Sequence, residues 1–108
     1  MKRRPNALLV LCTIDTKEHA EHLARELLRM RLAACINILP HLSSLYRWEG
    51  AIEKGEELLL LIKTKEELFE TLKEKIVSLH PYSVPEIIAF RIDEGAPHYL
   101  EWIMKETL

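Results

Sequence analysis

Residues 33–49, Ala-Ala-Cys-Ile-Asn-Ile-Leu-Pro-His-Leu-Ser-Ser-Leu-Tyr-Arg-Trp-Glu, run into Gly50, and residues 58–63, Leu-Leu-Leu-Leu-Ile-Lys, run back. Read together they predict one long hairpin over residues 33–64, turning near Gly50. The apolar run in its return arm does not alternate, so both sides of that strand need burial. A small domain seldom covers both sides of a sheet by itself. The mismatch points to a partner chain. Pro40 has no amide hydrogen to give to a ladder, and it predicts a bulge or kink in a first arm too long to be straight.

Working outward, Ala7 to Ile14 is short and continuously apolar, as a central strand is. Asp15 or Thr16 caps a following helix, with Ala20, Leu23, Ala24, Leu27 and Leu28 at helical spacing on one face. Beyond the hairpin, Lys65 to Leu79 reads as a second amphipathic helix, with Leu68, Phe69, Leu72, Ile76 and Leu79 inward and Pro81 as its stop. Glu86 to Ile92 reads as a fourth strand. Ala96 to Thr107 reads as a last short helix bearing Tyr99, Leu100, Trp102, Ile103 and Met104. The order β-α-β-β-α-β-α is that of an α+β, ferredoxin-like sandwich with strand order 4-1-3-2 and an added tail helix. Its two main helices are expected on one sheet face, which leaves the other for copies of the chain.

The 108 residues suffice for one domain, taken as 1–108, and two would be crowded. Apolar residues at 48% and charged residues at 30% are the balance of an ordinary soluble globular domain. With 15 basic against 17 acidic side chains, and no basic block beyond Lys2-Arg3-Arg4, the chain lacks an electrostatic footprint for nucleic acid. That basic start and the apolar run after it imitate a signal peptide, but Asp15, Thr16, Lys17 and Glu18 stand where a small-residue cleavage site belongs. The expectation is a cytoplasmic protein with no membrane span. Absent Gln and scarce Asn lean toward a heat-adapted source.

Several stretches then carry a resemblance: Leu-Ala-Ala-Cys-Ile-Asn (32–37), Ser-Leu-Tyr-Arg-Trp-Glu-Gly (44–50), Leu-Ile-Lys-Thr (61–64), His-Pro-Tyr-Ser-Val-Pro-Glu (80–86) and Tyr-Leu-Glu-Trp-Ile (99–103). Together they resemble the CutA family, the divalent-cation tolerance proteins, over nearly the whole chain. The resemblance implies a cytoplasmic homotrimer of ferredoxin-like subunits held by the long hairpins and tail helices. It also implies a link to tolerance of copper and other divalent metals.

The soft candidate ligands are Cys12, Cys35 and His80, a set suited to copper or zinc. The resemblance attaches metal ligation mainly to Cys12 and His80. Some members have two histidines in a row at the second position, where this chain has Leu79-His80. In the expected strand order another strand separates Cys12 from Cys35 by roughly 9–10 Å, too far for a disulfide. The blander reading is that both cysteines are small buried apolar residues.

A second constellation is aromatic and charged: Tyr46, Trp48, Glu49, Lys63, Tyr82, Glu86 and Trp102. Lys63 and Glu86 are costly to bury unpaired, so the simplest arrangement is a salt-linked cluster in a cleft between subunits. The competing reading is that the aromatics only pack an oligomer interface. No nucleophile elbow, phosphate-binding glycine loop or HExxH helix is present, and with 3 glycines no Gly-rich loop can be built. Three non-enzymatic readings follow. The first is a trimeric binder of copper or another divalent cation. The alternatives are a signalling module, like the PII-like trimers, with a small ligand at intersubunit clefts, and a protein-interaction scaffold.

Overall fold

A computed structural model describes residues 6–108, so the basic run Lys2-Arg3-Arg4 lies outside the described residues. Its longest feature is the hairpin: β2 (Cys35–Trp48) and β3 (Ala51–Lys65) joined by Glu49 and Gly50. Both turn residues have positive φ, 48° and 82°. That geometry matches the right-handed twist of the strands it joins, and glycine adopts it without strain. The register slips between Leu39 and Leu42, opposite Leu59 and Glu57. One extra residue is therefore accommodated at Pro40-His41, where His41 has φ 63°. The bulge falls where the missing amide hydrogen of Pro40 places it.

β1 (Ala7–Ile14) pairs antiparallel with residues 58–65 of β3 and, on its other edge, with β4 (Ile87–Arg91). The sheet order is β2-β3-β1-β4, the ferredoxin-like order expected from the sequence. Because β1 stops opposite Leu58, the outer hairpin, from the Leu42–Glu57 pair to the Trp48–Ala51 pair, projects as a two-stranded ribbon. It stretches the molecule to 50 Å against 26 and 23 Å in the other directions.

Strand alternation sorts the side chains into two faces. Leu8, Val10, Cys12 and Ile14 of β1 join Leu58, Leu60 and Ile62 of β3 on the covered face. Two helices lie over it: α1 (Lys17–Arg29), through Ala20, Leu23 and Leu27, and α2 (Phe69–Leu79), through Leu72 and Ile76. Thr16 caps α1, its hydroxyl accepting from the His19 N–H at 3.1 Å. Leu28, expected inward, is 38% exposed, while Leu23 and Leu27 of the same helix are buried.

The second helix also begins later than its sequence suggests. Lys65 still belongs to β3, paired with Ala7, and the Glu66 N–H donates to the Asn6 carbonyl. A short 3-10 turn, Glu66–Leu68, comes before α2. Strand pairing thus overrides helix propensity in the first turn. His80 leaves the helix with extended backbone, as the residue before Pro81 must.

The opposite face is not left entirely bare, which corrects the expectation for it. α3 (Pro97–Glu106) packs on β3 and β1, with Ile103 fully buried. Its C-terminus is pinned from outside the helix. The Arg31 guanidinium donates to the Lys105 and Glu106 carbonyls, and the Arg31 carbonyl accepts from the Leu108 N–H. The rest of that face stays open, with Leu39 47%, Ile88 46% and Phe90 52% exposed.

Candidate functional site

Tyr46 and Trp48 are two residues apart in β2, so both rings leave the same face of the ribbon. The Tyr46 ring leans diagonally over Gly55. A Cβ there would lie 3.8 Å from the ring and 3.9 Å from the phenol oxygen, an ordinary contact, so the glycine makes room without being required. Below the rings opens a cleft of about 720 Å³ between the ribbon and the loop leading into β4. Ser43, Ser44, Glu56 and Glu57 line it from the ribbon, Thr13 from β1, and Tyr82, Ser83, Val84 and Glu86 from the loop. A smaller hollow of about 520 Å³, edged by Asp15, Lys17, Glu21 and His41, shares Glu56 and Glu57 with it.

Two hydrogen-bonded residues set the floor. Tyr82 donates its phenol hydrogen to Glu57 Oε2 at 2.8 Å, and burial followed by the Glu57 bond raises its pKa above the ordinary range. His80 is buried behind it, with the two rings edge to face at 4.6 Å. His80 Nε2 lies 2.7 Å from the Thr13 carbonyl, which can only accept, so that nitrogen carries the hydrogen. Nδ1 then accepts the Tyr82 N–H at 3.1 Å. The imidazole ties α2, β1 and the loop together and has both nitrogens in use.

Cys12 Sγ approaches the same Thr13 carbonyl at 3.7 Å and is fully buried. Burial, with the Glu86 and Glu57 carboxylates adding to it, pushes the thiol up to about 12. A thiol held protonated is a poor metal ligand. Cys35 pairs in register with Lys63, and Cys12 with Leu60, so the two cysteines occupy opposite faces as well as non-adjacent strands. Among the described residues no three His, Cys, Asp or Glu side chains converge as a metal-binding group. Within one chain, Cys12, Cys35 and His80 do not fit a metal ion.

Of the aromatic and charged set, the cleft gathers Tyr46, Trp48, Tyr82 and Glu86. Lys63 stands elsewhere on β3, its ammonium hydrogen-bonded to Asn37 Oδ1 and 4.0 Å from Cys35 Sγ. Glu86 is exposed, so within one chain neither charge depends on the other. Glu49 sits at the exposed hairpin turn, and Trp102 stacks on Tyr99 along α3 with centroids 5.7 Å apart. Tyr99 lies against Cys35, and burial followed by that thiol raises its phenol pKa.

The sequence reading passed over Glu56, Glu57, Ser43 and Ser44. For Ser43, Ser44 and Glu56 a signal was available: once the hairpin turn is placed, cross-strand register sets Ser44 opposite Gly55 and Ser43 opposite Glu56. The arrangement offers aromatic faces, hydroxyls and carboxylates. Among the described residues no Ser, Thr or Cys side chain is hydrogen-bonded to a histidine ring as an activated nucleophile would be.

The family model for the CutA1 divalent ion tolerance protein matches residues 8–106. A divalent-cation tolerance protein CutA of Thermus thermophilus is 48% identical over 99 residues, covering 92% of this chain and 96% of that protein. Its solved structure superimposes with a TM-score of 0.92 over 94% of this chain and 98% of that one. CutA1 of Oryza sativa, 40% identical, superimposes with a TM-score of 0.94 over 96% of this chain and 95% of that one. The chloroplastic CutA of Arabidopsis thaliana is 41% identical over 94% of this chain, which spans only 56% of that protein. An Archaeoglobus fulgidus homologue of known structure, 35% identical, is described as periplasmic, so the family is not tied to one compartment. No helix among the described residues is long and apolar enough to cross a membrane. On the matched length and the superimposed fold, this chain belongs to the CutA1 divalent ion tolerance protein family.

Proposed function

We propose that the protein is a cytoplasmic homotrimer that binds copper or another divalent cation without catalysing a reaction. The observation that carries the assembly is the uncovered apolar surface. Leu45 and Ile52 of the ribbon are each 72% exposed, and Leu39, Ile88 and Phe90 are exposed on the open face of the sheet. A two-stranded ribbon is marginal in water by itself. Burying such side chains against copies of the chain stabilises each by about 1.5–3 kcal/mol. The family name links the chain to divalent cations, and since the described residues of one chain supply no converging set of ligands, the cation site is completed between copies.

Sedimentation equilibrium tests the assembly. The wild-type protein should sediment as three 12.6 kDa chains, and the Leu45→Glu/Ile52→Glu double variant as one. Copper titration then tests the site. Stoichiometry should fall in the double variant and in Cys35→Ala, whose side chain lies on the open face. Full stoichiometry in the dissociated chain would overturn the reading that copies share the site. Unchanged binding in Cys12→Ala, Cys35→Ala and His80→Ala together would remove these three residues from it.

The cleft favours a second reading, in which the same assembly signals by holding a small ligand. Its size is that of a small-molecule site, within the range of about 300–1,000 Å³.

A further inference from the structure

We infer that Glu57, Glu86 and the Thr13 hydroxyl form one chain's half of a site for a hard divalent cation, the class of Mg2+, Mn2+ and Ca2+, at the inner end of the cleft. Strand register brings the three together on the open face. Thr13 is opposite Leu59, so Glu57, two residues along β3, lies diagonally from it at about 7–8 Å. Ile87 is opposite Cys12, so Glu86 stands beside Thr13, one position past the last pair of β1 and β4. Thr13 is 8% exposed, a burial that copies of the chain can only deepen. Its carbonyl is taken by His80, yet its hydroxyl has no hydrogen-bond partner among the described residues. No side-chain oxygen or nitrogen sealed from solvent lacks a partner among them, so this hydroxyl opens on the cleft that Thr13 lines. A polar group so deeply placed is costly unless something fills the space before it.

The donor set decides the ligand class. Glu57 uses one oxygen to accept from Tyr82 and keeps the other. Among the described residues neither Glu57 nor Glu86 is ion-paired to a lysine or arginine, and no lysine or arginine lines the cleft. Both carboxylates bear on the buried Cys12 thiol, so their charges lie near each other. Two like charges at one spot disfavour each other, and a bound cation relieves both. Carboxylate and hydroxyl oxygens are ligands for hard cations, whereas copper favours thiolate and imidazole. Cys12 faces the core on the other side of β1, and both His80 nitrogens are engaged, so no soft ligand joins the set. Nor does a third carboxylate complete it among the described residues. The remaining positions fall to a copy of the chain, and in this the inference rests on the reading above that copies share the cation site.

Titration of the intact protein with manganese chloride, followed by loss of the electron paramagnetic resonance signal of free Mn2+, tests it. Saturable binding is expected, displaced by magnesium or calcium. It should weaken about tenfold or more in Glu57→Gln and in Glu86→Gln. Thr13→Val should weaken it about fivefold, and Glu18→Gln, exposed on α1, should leave it unchanged. Circular dichroism melts and sedimentation confirm that each variant is folded and assembled. Copper stoichiometry should survive in all of them. The dissociated Leu45→Glu/Ile52→Glu chain, holding only half the site, should lose manganese. The inference is overturned if no saturable manganese binding occurs at millimolar concentration, or if the Glu57, Glu86 and Thr13 variants bind as the wild type does. It is equally overturned if the dissociated chain binds with full affinity, or if copper stoichiometry falls together with manganese. A trimer that binds copper and no manganese sinks this inference alone, whereas a wild type that sediments as one chain sinks the reading beneath it as well.

Discussion

Leu60 and Leu61 are neighbours in β3 with the same side chain, yet Leu60 is fully buried under the helices and Leu61 is half-buried on the opposite face. The same contrast separates the cysteines. Cys12 is sealed beneath α1 and α2, while Cys35 lies on the open face beside Lys63 and Tyr99. One face has its cover built into the chain. The other presents comparable side chains, and α3 shields only part of it. The contrast teaches that hydrophobicity along a strand reports how much burial a segment needs, and not which molecule provides it.

The sharpest way to break this comparison is truncation on each side. Leu60→Ala should destabilise the protein by about 2–5 kcal/mol in urea unfolding, as a core cavity does. Leu61→Ala should cost about 1 kcal/mol in a dissociated chain. Its cost should climb toward that of Leu60→Ala as protein concentration rises, if copies cover the open face. Equal costs at every concentration would mean that the two faces are equally covered within one chain.

Thiol labelling sharpens it next. With its pKa at about 12, Cys12 is a thiolate only about one part in 10,000 at pH 8. Labelling with a disulfide reagent should therefore modify Cys35 about a hundredfold faster or more in the dissociated protein. Comparable rates would show that the covered face opens readily.

A smaller effect is expected at high pH. The folded thiol of Cys12 holds its proton up to about 12, whereas the unfolded thiol releases it near its ordinary value of 9.0. Between those values the unfolded state binds fewer protons, so stability falls as pH rises. The slope is at most about 1.4 kcal/mol per pH unit. Unfolding free energies from pH 9 to 10, below the range in which the raised Tyr82 and Tyr99 phenols add their own slope, should show this dependence in the wild type and much less of it in Cys12→Ala.

The smallest effect concerns how α3 is held across the open side. Arg31 has φ 58° and also supplies the guanidinium that binds the Lys105 and Glu106 carbonyls. Arg31→Ala and Arg31→Gly both lose those bonds, but only alanine keeps the left-handed strain. The glycine variant should be the more stable of the two by about 1 kcal/mol, read from paired thermal melts.

Much of the fold was legible because its signals are local. The turn at Glu49-Gly50, the bulge at Pro40, the Thr16 cap and the stop at Pro81 each express backbone freedom or a missing donor in the residue itself. The late start of α2 was not legible, because a partner strand decides it through the Lys65–Ala7 pair. The site was half legible for the same reason. Tyr46, Trp48, Tyr82 and Glu86 stand in recognisable stretches, whereas Glu57 becomes part of the site only through the Tyr82 hydroxyl 25 residues away in the chain.

By itself the sequence determined the element order, the strand order and an excess of apolar strand surface, since periodicity and turn chemistry are properties of consecutive residues. Only the tertiary structure decided which cysteine faces the core, that both His80 nitrogens are engaged, and that Lys63 sits with Cys35 rather than with Glu86. Those outcomes depend on register and on which face a side chain leaves. A one-residue shift in pairing would reverse them while leaving local composition unchanged.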